Sequence, residues 1–305
     1  MTLPPLSPPP TVANIQITAE LMAKSAHALC VALGHAEAML GQGLDGVGRQ
    51  QDIAAIKAGA QGPQQAVRLT LYEMAYEAAL LAQKSALDHL RSLSADLIRE
   101  PGPALSHLTL VRAALEAGGL FGYLTERGVD VRLLLARIAG VKLADAINAR
   151  NLAETHKDRD PGILASQERL MQSFESTLTR AGVIHKFDKK RRKVVATEVE
   201  GHATKGDIYI GQAALAFLGS EHAGAYNLLS GGAHSRPWML GANESAAPAA
   251  GSVIYALSLT LALITAWLER WAAYTGNDAT PTIKRVRQPL HIVLTRAAAG
   301  EFNAT

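Results

Sequence analysis

The chain has 305 residues, of which 48% are hydrophobic and 5% aromatic, and its formal net charge is +3. This length suffices for one large or two ordinary domains, and so mild a positive charge does not by itself indicate nucleic-acid binding. Alanine and leucine dominate the apolar residues, which favours helices, because strands draw on valine, isoleucine and aromatic residues. The single cysteine, Cys30, excludes an internal disulfide and lies in an apolar run, so we predict a reduced, cytoplasmic protein with Cys30 buried.

Prolines crowd the start of the chain, and helical periodicity follows them. Residues 1–12 are rich in proline and lack the basic and apolar regions of a signal peptide, so we predict a disordered tail. Apolar residues spaced by three and four then predict helices over 13–42, 64–99 and 107–126. The glycines within 41–48 predict a flexible break after the first helix.

The middle of the chain predicts further helices and then a change of character. Residues 130–155 predict one or two helices with a break near Gly140, and 164–181 predict another helix that ends at Gly182. A basic run and an alternating apolar segment follow, and they predict a small β-containing insertion near 186–210.

The last third of the chain predicts two helices and a tail. The helices are expected over 211–230 and 249–274. The uncharged stretch 245–268 is long enough to span a bilayer, but it contains several hydroxyl side chains and ends at a Glu–Arg pair. We therefore predict a buried central helix and no membrane span. Prolines and basic residues predict a loosely ordered basic tail over 277–305.

These elements together predict the fold class. The chain is expected to be mainly α, with one helical domain over 13–276 that forms a multi-helix bundle. The β-containing insertion is expected at 183–210 within that domain.

Two polar motifs are expected to meet in one site. Tyr226, Ser230 and His234 are spaced by four, which places a phenol, a hydroxyl and an imidazole on one helix face. Arg112 and Glu116 are also four apart, inside an apolar run, where a charged pair must find partners or face a polar pocket. We therefore predict that these five side chains converge from two distant helices.

The chemistry of this predicted cluster has more than one interpretation. His234 could serve as an acid or base with Ser230 as a nucleophile, which would make the chain a small-molecule enzyme. Alternatively, the cluster is structural and fixes the helices against one another. The pattern R-xxx-E, followed far downstream by Y-xx-LS-xxx-H and an apolar helix, resembles bacterial, actinobacterial-type helical proteins of unknown function. That resemblance implies a helical fold over about 105–275 and no particular activity.

A second motif suggests nucleic-acid chemistry. Arg150, Asn151 and His156 form an Arg-Asn-x4-His sequence, in which Arg can hold a phosphate and His can move a proton. This spacing resembles the motif of HEPN-type helical ribonucleases. The resemblance implies RNA cleavage by a 2′-hydroxyl, a role in a defence or toxin system, and a homodimer with the motif at its interface.

A basic run and the absence of metal motifs complete the set of predictions. Segment 186–193 can track phosphates of RNA or form a solvated loop; its basic residues are Lys186, Lys189, Lys190, Arg191, Arg192 and Lys193. No glutamate has a histidine three residues later, and no glycine-rich phosphate loop is present, so we expect no metal and no cofactor.

The first functional hypothesis is an interaction or scaffold protein with a structural polar cluster, whose partner is RNA or another protein. The alternatives are the HEPN-like ribonuclease and the small-molecule enzyme that uses His234. The sequence leaves open whether the chain is an enzyme.

Overall fold

Helices dominate the chain, as predicted. The structure is a computed structural model that describes residues 12–99, 106–156, 158, 160–188, 193–205, 210–219, 222, 225–226, 229–230 and 246–302. The helices are α1 (Val12–Leu40), α2 (Val47–Gly59), α3 (Gly62–Leu97), α4 (Ser106–Leu124), α5 (Val131–Thr155), α6 (Pro161–Ala181), α7 (Ile210–Leu218), α8 (Ala246–Thr275) and α9 (Thr280–Ala298). The strands are β1 (Val183–Asp188), β2 (Lys193–Val199) and β3 (His202–Lys205). The predicted Pro-rich tail lies outside the described residues, except for Val12, which begins α1.

The core is built around α3 and α8, the two longest helices of the described residues. Helix α8 contacts α1, α2, α4, α7 and α9, and α3 contacts α1, α2, α4, α5 and α6. Trp267 of α8 is fully buried, and its ring meets that of Phe121 on α4 edge to face at 5.8 Å. Burial of such side chains contributes about 1.5–3 kcal/mol each. The prediction of a central apolar helix is confirmed.

The same helix satisfies the length and composition of a bilayer span. Within the part of the chain that the structure describes, Gly251–Thr275 is the one helix that passes this test, and 56% of its most apolar window is buried inside the fold. A core helix of a soluble protein passes the same test. The absence of a membrane span therefore stays a prediction.

A three-stranded antiparallel sheet forms the predicted β insertion. The strand order is β1–β2–β3, with Val199 opposite both Val183 and His202 in the register. Thr197 on the inner face is buried, and its hydroxyl donates to the carbonyl of Ala136 on α5 at 2.7 Å. Residues 206–209 of the predicted insertion lie outside the described residues.

The predicted break after the first helix is present, since α1 ends at Leu40 and α2 begins at Val47, and two of its glycines are also positions of close packing. Helix α2, which the sequence did not predict, begins just after Gly46; a methyl group at Gly48 would lie 2.6 Å from the carbonyl oxygen of Tyr274. The predicted break near Gly140 is wrong, since Gly140 is buried within the continuous helix α5. A glycine tolerated inside a helix often has such a packing reason.

The predicted helix over 211–230 is not continuous. Helix α7 ends at Leu218, and Gly219 adopts a left-handed φ of 98° that interrupts the helical hydrogen bonding. Tyr226 and Ser230 lie in later helical residues.

The predicted loose basic tail is also wrong. Helix α9 packs against α1 and α8 through a stripe of buried residues, Val286, Leu290 and Val293. Pro281 lies in the first turn, where the missing N–H has no helical partner to lose. The helix also accommodates Pro289 in its interior.

Cys30 differs from its prediction as well. It is exposed, and its sulfur lies 3.0 Å from the hydroxyl oxygen of Ser94. The buried stripe of α1 at this level consists of Leu29, Ala32 and Leu33, so Cys30 falls beside it.

Candidate functional site

Four of the five residues predicted to converge do so. Arg112 and Glu116 lie one turn apart on α4, and their Nε and Oε1 atoms are 2.9 Å apart. Arg112 Nη2 donates to the hydroxyl of Tyr226 at 3.0 Å, and Nη1 donates to the hydroxyl of Ser230 at 3.5 Å. The Tyr226 hydroxyl donates in turn to Glu116 Oε1 at 2.9 Å. His234, the fifth residue, lies outside the described residues.

This Arg112 cluster, formed by Arg112, Glu116, Tyr226 and Ser230, is only partly open to solvent. The side chains of Arg112 and Glu116 are 19% and 30% exposed. The Arg112 guanidinium also lies over the Tyr226 ring, 5.1 Å from its centroid. Burial, followed by the hydrogen bond to Glu116, raises the pKa of Tyr226, so the phenol keeps its proton and acts as a donor.

Helix α7 fixes the position of the Tyr226 ring. A methyl group at Gly211, at the start of α7, would lie 2.6 Å from Cζ of that ring. A methyl group at Gly119 on α4 would likewise lie 2.6 Å from Cα of Ala214. Both contacts involve glycines, which allow α4, α7 and Tyr226 to approach one another closely.

Arg112, Glu116 and Tyr226 form a closed set of three hydrogen bonds. Arg112 donates to Glu116 and Tyr226, and Tyr226 donates to the same oxygen of Glu116. These three hydrogen bonds hold two chain segments together. They also keep the charges of Arg112 and Glu116 paired where they are shielded from water. Ser230 receives a long hydrogen bond from Arg112, which is not the contact that would deprotonate a nucleophile.

The Arg150 motif lies at the end of α5, where Arg150 is paired within the chain. Helix α5 ends at Thr155, so His156 is the residue after the helix and is exposed. Arg150 Nη2 lies 3.3 Å from a carboxylate oxygen of Glu168, and Nη1 lies 3.9 Å from one of Glu154. The Oδ1 atom of Asn151 is buried without a hydrogen-bond partner among the described residues.

The basic run is partly strand. Lys186 is exposed on β1, and Lys193 begins β2 opposite Asp188 in the register. The four residues between the strands lie outside the described residues: Lys189, Lys190, Arg191 and Arg192. No group of three or more His, Cys, Asp or Glu that could hold a metal ion occurs in the portion of the chain that the structure describes.

One polar cavity was not predicted from the sequence. It has a volume of about 710 Å³ and lies between α2, α3, the start of α5 and the β2–β3 turn. Three arginines and three carboxylates line it: Arg68, Arg127, Arg132, Asp52, Asp130 and Glu200. These residues come from separate elements and form no short motif, so no sequence signal could have identified the cavity. The run Arg127 to Arg132, which precedes α5, is the one local concentration of charge among them.

Compared with models of known protein families, with curated proteins and with solved structures, the chain matches none of them.

Proposed function

We propose that the chain is a non-catalytic interaction protein in which the Arg112 cluster is structural. One observation carries this proposal: the arginines of the two candidate catalytic motifs, Arg112 and Arg150, are each paired with a carboxylate of the same chain. Arg112 is paired with Glu116, and Arg150 is paired with Glu168 and Glu154. A guanidinium that must bind a phosphate or carboxylate substrate would first have to lose these pairs.

The Arg112 cluster has a clear structural role under this proposal. It joins α4 to the helical residues at Tyr226 and Ser230, which lie more than a hundred positions later in the chain. A hydrogen bond to a charged group contributes about 1.5–3 kcal/mol, so the cluster can hold this segment in place.

The proposed partner is a second copy of the chain. Leu152 on α5 and Ile163 and Leu170 on α6 are 63%, 45% and 59% exposed. Helices α5 and α6 pack together, and Ile163 and Leu170 are two turns apart on one side of α6. Exposed apolar side chains on neighbouring elements are typical of protein interfaces. We refer to these three residues as the α5–α6 face.

A double-mutant cycle tests the structural role of the cluster. Arg112→Met and Glu116→Gln should each lower the free energy of unfolding by about 1–3 kcal/mol, because each leaves a partner unpaired. The double mutant should lose less than the sum of the two, since the second substitution removes the orphaned group. Urea unfolding followed by circular dichroism gives these values.

An RNA cleavage assay on the same purified proteins separates this proposal from the ribonuclease. The wild-type chain should leave single-stranded RNA intact, as should both cluster variants. Cleavage by the wild type that disappears in folded His156→Ala or His234→Ala would overturn the proposed function. Independent, additive effects of Arg112→Met and Glu116→Gln would overturn the structural role of the cluster.

A further inference from the structure

The cavity that the sequence did not predict has the dimensions of a ligand site. Its volume of about 710 Å³ falls within the roughly 300–1,000 Å³ of small-molecule pockets. Arg68, Arg127 and Arg132 give it three guanidinium groups, and Ala55 and Leu135 add apolar wall. We call it the arginine cavity.

Arg68 is the most informative residue of the arginine cavity. Its side chain is only 2% exposed. Nε donates to the carbonyl of Ala181 at 2.9 Å, and Nη2 donates to Glu200. Among the described residues Nη1 has no hydrogen-bond partner. Nη1 is not among the fully buried atoms that lack a partner, so it stays accessible from the cavity that Arg68 lines. A group bound in the cavity would supply the missing acceptor.

The β2–β3 turn places Glu200 at the edge of the arginine cavity. It is the one non-glycine residue with a left-handed φ, 49°, among the described residues, and it forms the β2–β3 turn with Gly201. A side chain in this conformation costs about 1–2 kcal/mol. The turn nevertheless places a carboxylate against Arg68 and 3.6 Å from Arg132 Nη1. A left-handed φ at both Glu200 and Gly201 is what a two-residue hairpin turn requires.

Arg127 lies against α2, on another side of the arginine cavity. Its Nη2 donates to the side-chain oxygen of Gln51, and its Nη1 is 3.7 Å from Asp52 Oδ1. Asp52 Oδ2 accepts hydrogen bonds from Tyr72 at 3.2 Å and Tyr274 at 3.4 Å. Burial raises the pKa of Asp52, and Arg127 and the two tyrosine hydroxyls oppose this rise.

Two carboxylates of the arginine cavity are ionised beside its arginines. Hydrogen bonds from Arg132 hold the pKa of Asp130 below its usual range, and one from Arg68 lowers the pKa of Glu200, so both carboxylates are ionised. They offset two of the three guanidiniums.

We propose that the arginine cavity binds a small organic anion, a carboxylate or a phosphate ester. Nη1 of Arg68, which has no partner among the described residues, donates to its anionic group, and Arg127 lies on the side formed by α2, so neither arginine has to leave its carboxylate. The apolar part lies against Ala55 and Leu135. This site is separate from the Arg112 cluster and from the α5–α6 face, and it stands whether or not the protein is a dimer.

Matched ligands test this proposal and distinguish the two anion types. Benzoate, phenyl phosphate and neutral benzamide share one ring and differ in the attached group. Titration followed by two-dimensional NMR should show saturable binding of at least one anion, with a dissociation constant below about 10 mM, and no binding of benzamide. The anion that binds more tightly identifies the preferred group. Failure of both anions to bind, or equal binding of benzamide, would overturn the proposal.

Arginine variants then locate the bound anion. Arg68→Met and Arg127→Met should each weaken binding at least about tenfold, because a charge-assisted hydrogen bond is lost. Arg127 is the variant to rely on if Arg68→Met does not fold. Arg91→Met is the matched control, since Arg91 is an exposed arginine paired with Glu37 and Asp88. If the wild type and Arg127→Met bind the anion with equal affinity, the proposed site is wrong. It is also wrong if Arg91→Met loses as much affinity as Arg127→Met.

Discussion

Arg112 and Tyr226 lie 114 positions apart in the chain, and their side chains meet within hydrogen-bond distance. The need for such partners is predictable, because an ion pair inside an apolar helix must be satisfied. The polar spacing of Tyr226 and Ser230 indicates where the partners lie. The closed pairing with Glu116 does not follow from sequence, since it depends on how closely α4 approaches α7.

A buried histidine gives a prediction at the same scale. His107 on α4 is fully buried; its Nε2 lies 2.9 Å from the hydroxyl of Ser252, and its Nδ1 has no partner among the described residues. Burial lowers its pKa from 6.5 to about 4. Above pH 6.5, His107 is neutral in both the folded and the unfolded state, so its titration does not lower the free energy of unfolding there. As the pH falls from 6.5 to 4, only the unfolded state gains the proton, which costs about 3 kcal/mol of stability.

Urea unfolding between pH 7 and pH 4 measures this effect. We expect the free energy of unfolding of the wild type to fall more steeply over this range than that of His107→Gln. His27→Gln is the control, because His27 is an exposed histidine on α1. Equal pH dependence of the wild type and His107→Gln would contradict the prediction.

At the scale of elements, the glycines of α4 decide how α7 packs. Gly118, Gly119 and Gly122 lie within one apolar run; α7 occupies the space that the missing side chains of Gly119 and Gly122 leave, and Leu263 of α8 meets Gly118. The sequence predicts a helix here from its apolar spacing. The sequence does not show that these three glycines allow a close contact between helices. From the local sequence, a glycine is only a residue that lowers helix stability.

Gly119→Ala and Gly34→Ala separate packing from helix propensity. A methyl group at Gly119 meets the Ala214 backbone, so Gly119→Ala should lower the free energy of unfolding by about 1–3 kcal/mol. Gly34 lies on an exposed part of α1 with nothing within 4 Å, so Gly34→Ala should raise it by about 0.5–1 kcal/mol. Thermal unfolding of both variants measures the difference. A gain of stability in Gly119→Ala would show that α7 does not press on this face.

Helix α9 is an element that the sequence analysis wrongly predicted to be loosely ordered. Its prolines and basic residues predict a loose tail, yet Val286, Leu290 and Val293 carry a helical spacing of four and three. The basic residues occupy the exposed side of an ordinary amphipathic helix. The prediction gave more weight to the prolines than to the helical spacing of the apolar residues. In the fold, the burial of those residues against α1 and α8 stabilises the helix in spite of the prolines.

At the scale of the whole molecule, the proposed dimer has a direct test. Leu170→Lys places a charge in the α5–α6 face and should convert a dimer into a monomer, because a buried unpaired charge is costly. Light scattering coupled to size exclusion measures the mass of each species. Leu81→Lys is the matched control, since Leu81 is a similarly exposed leucine on α3. A wild-type chain that stays monomeric at high concentration would refute the α5–α6 interface.

The sequence by itself determined the helical class, the central position of α8 and the β insertion, because periodicity and turn chemistry are encoded within a few neighbouring residues. It also indicated which polar residues need partners at Arg112. Only the tertiary structure decided the packing of α9, the exposure of Cys30 and the arginine cavity. Arg68 and Glu200 are 132 positions apart, and their meeting depends on which helix faces bury one another across the whole chain.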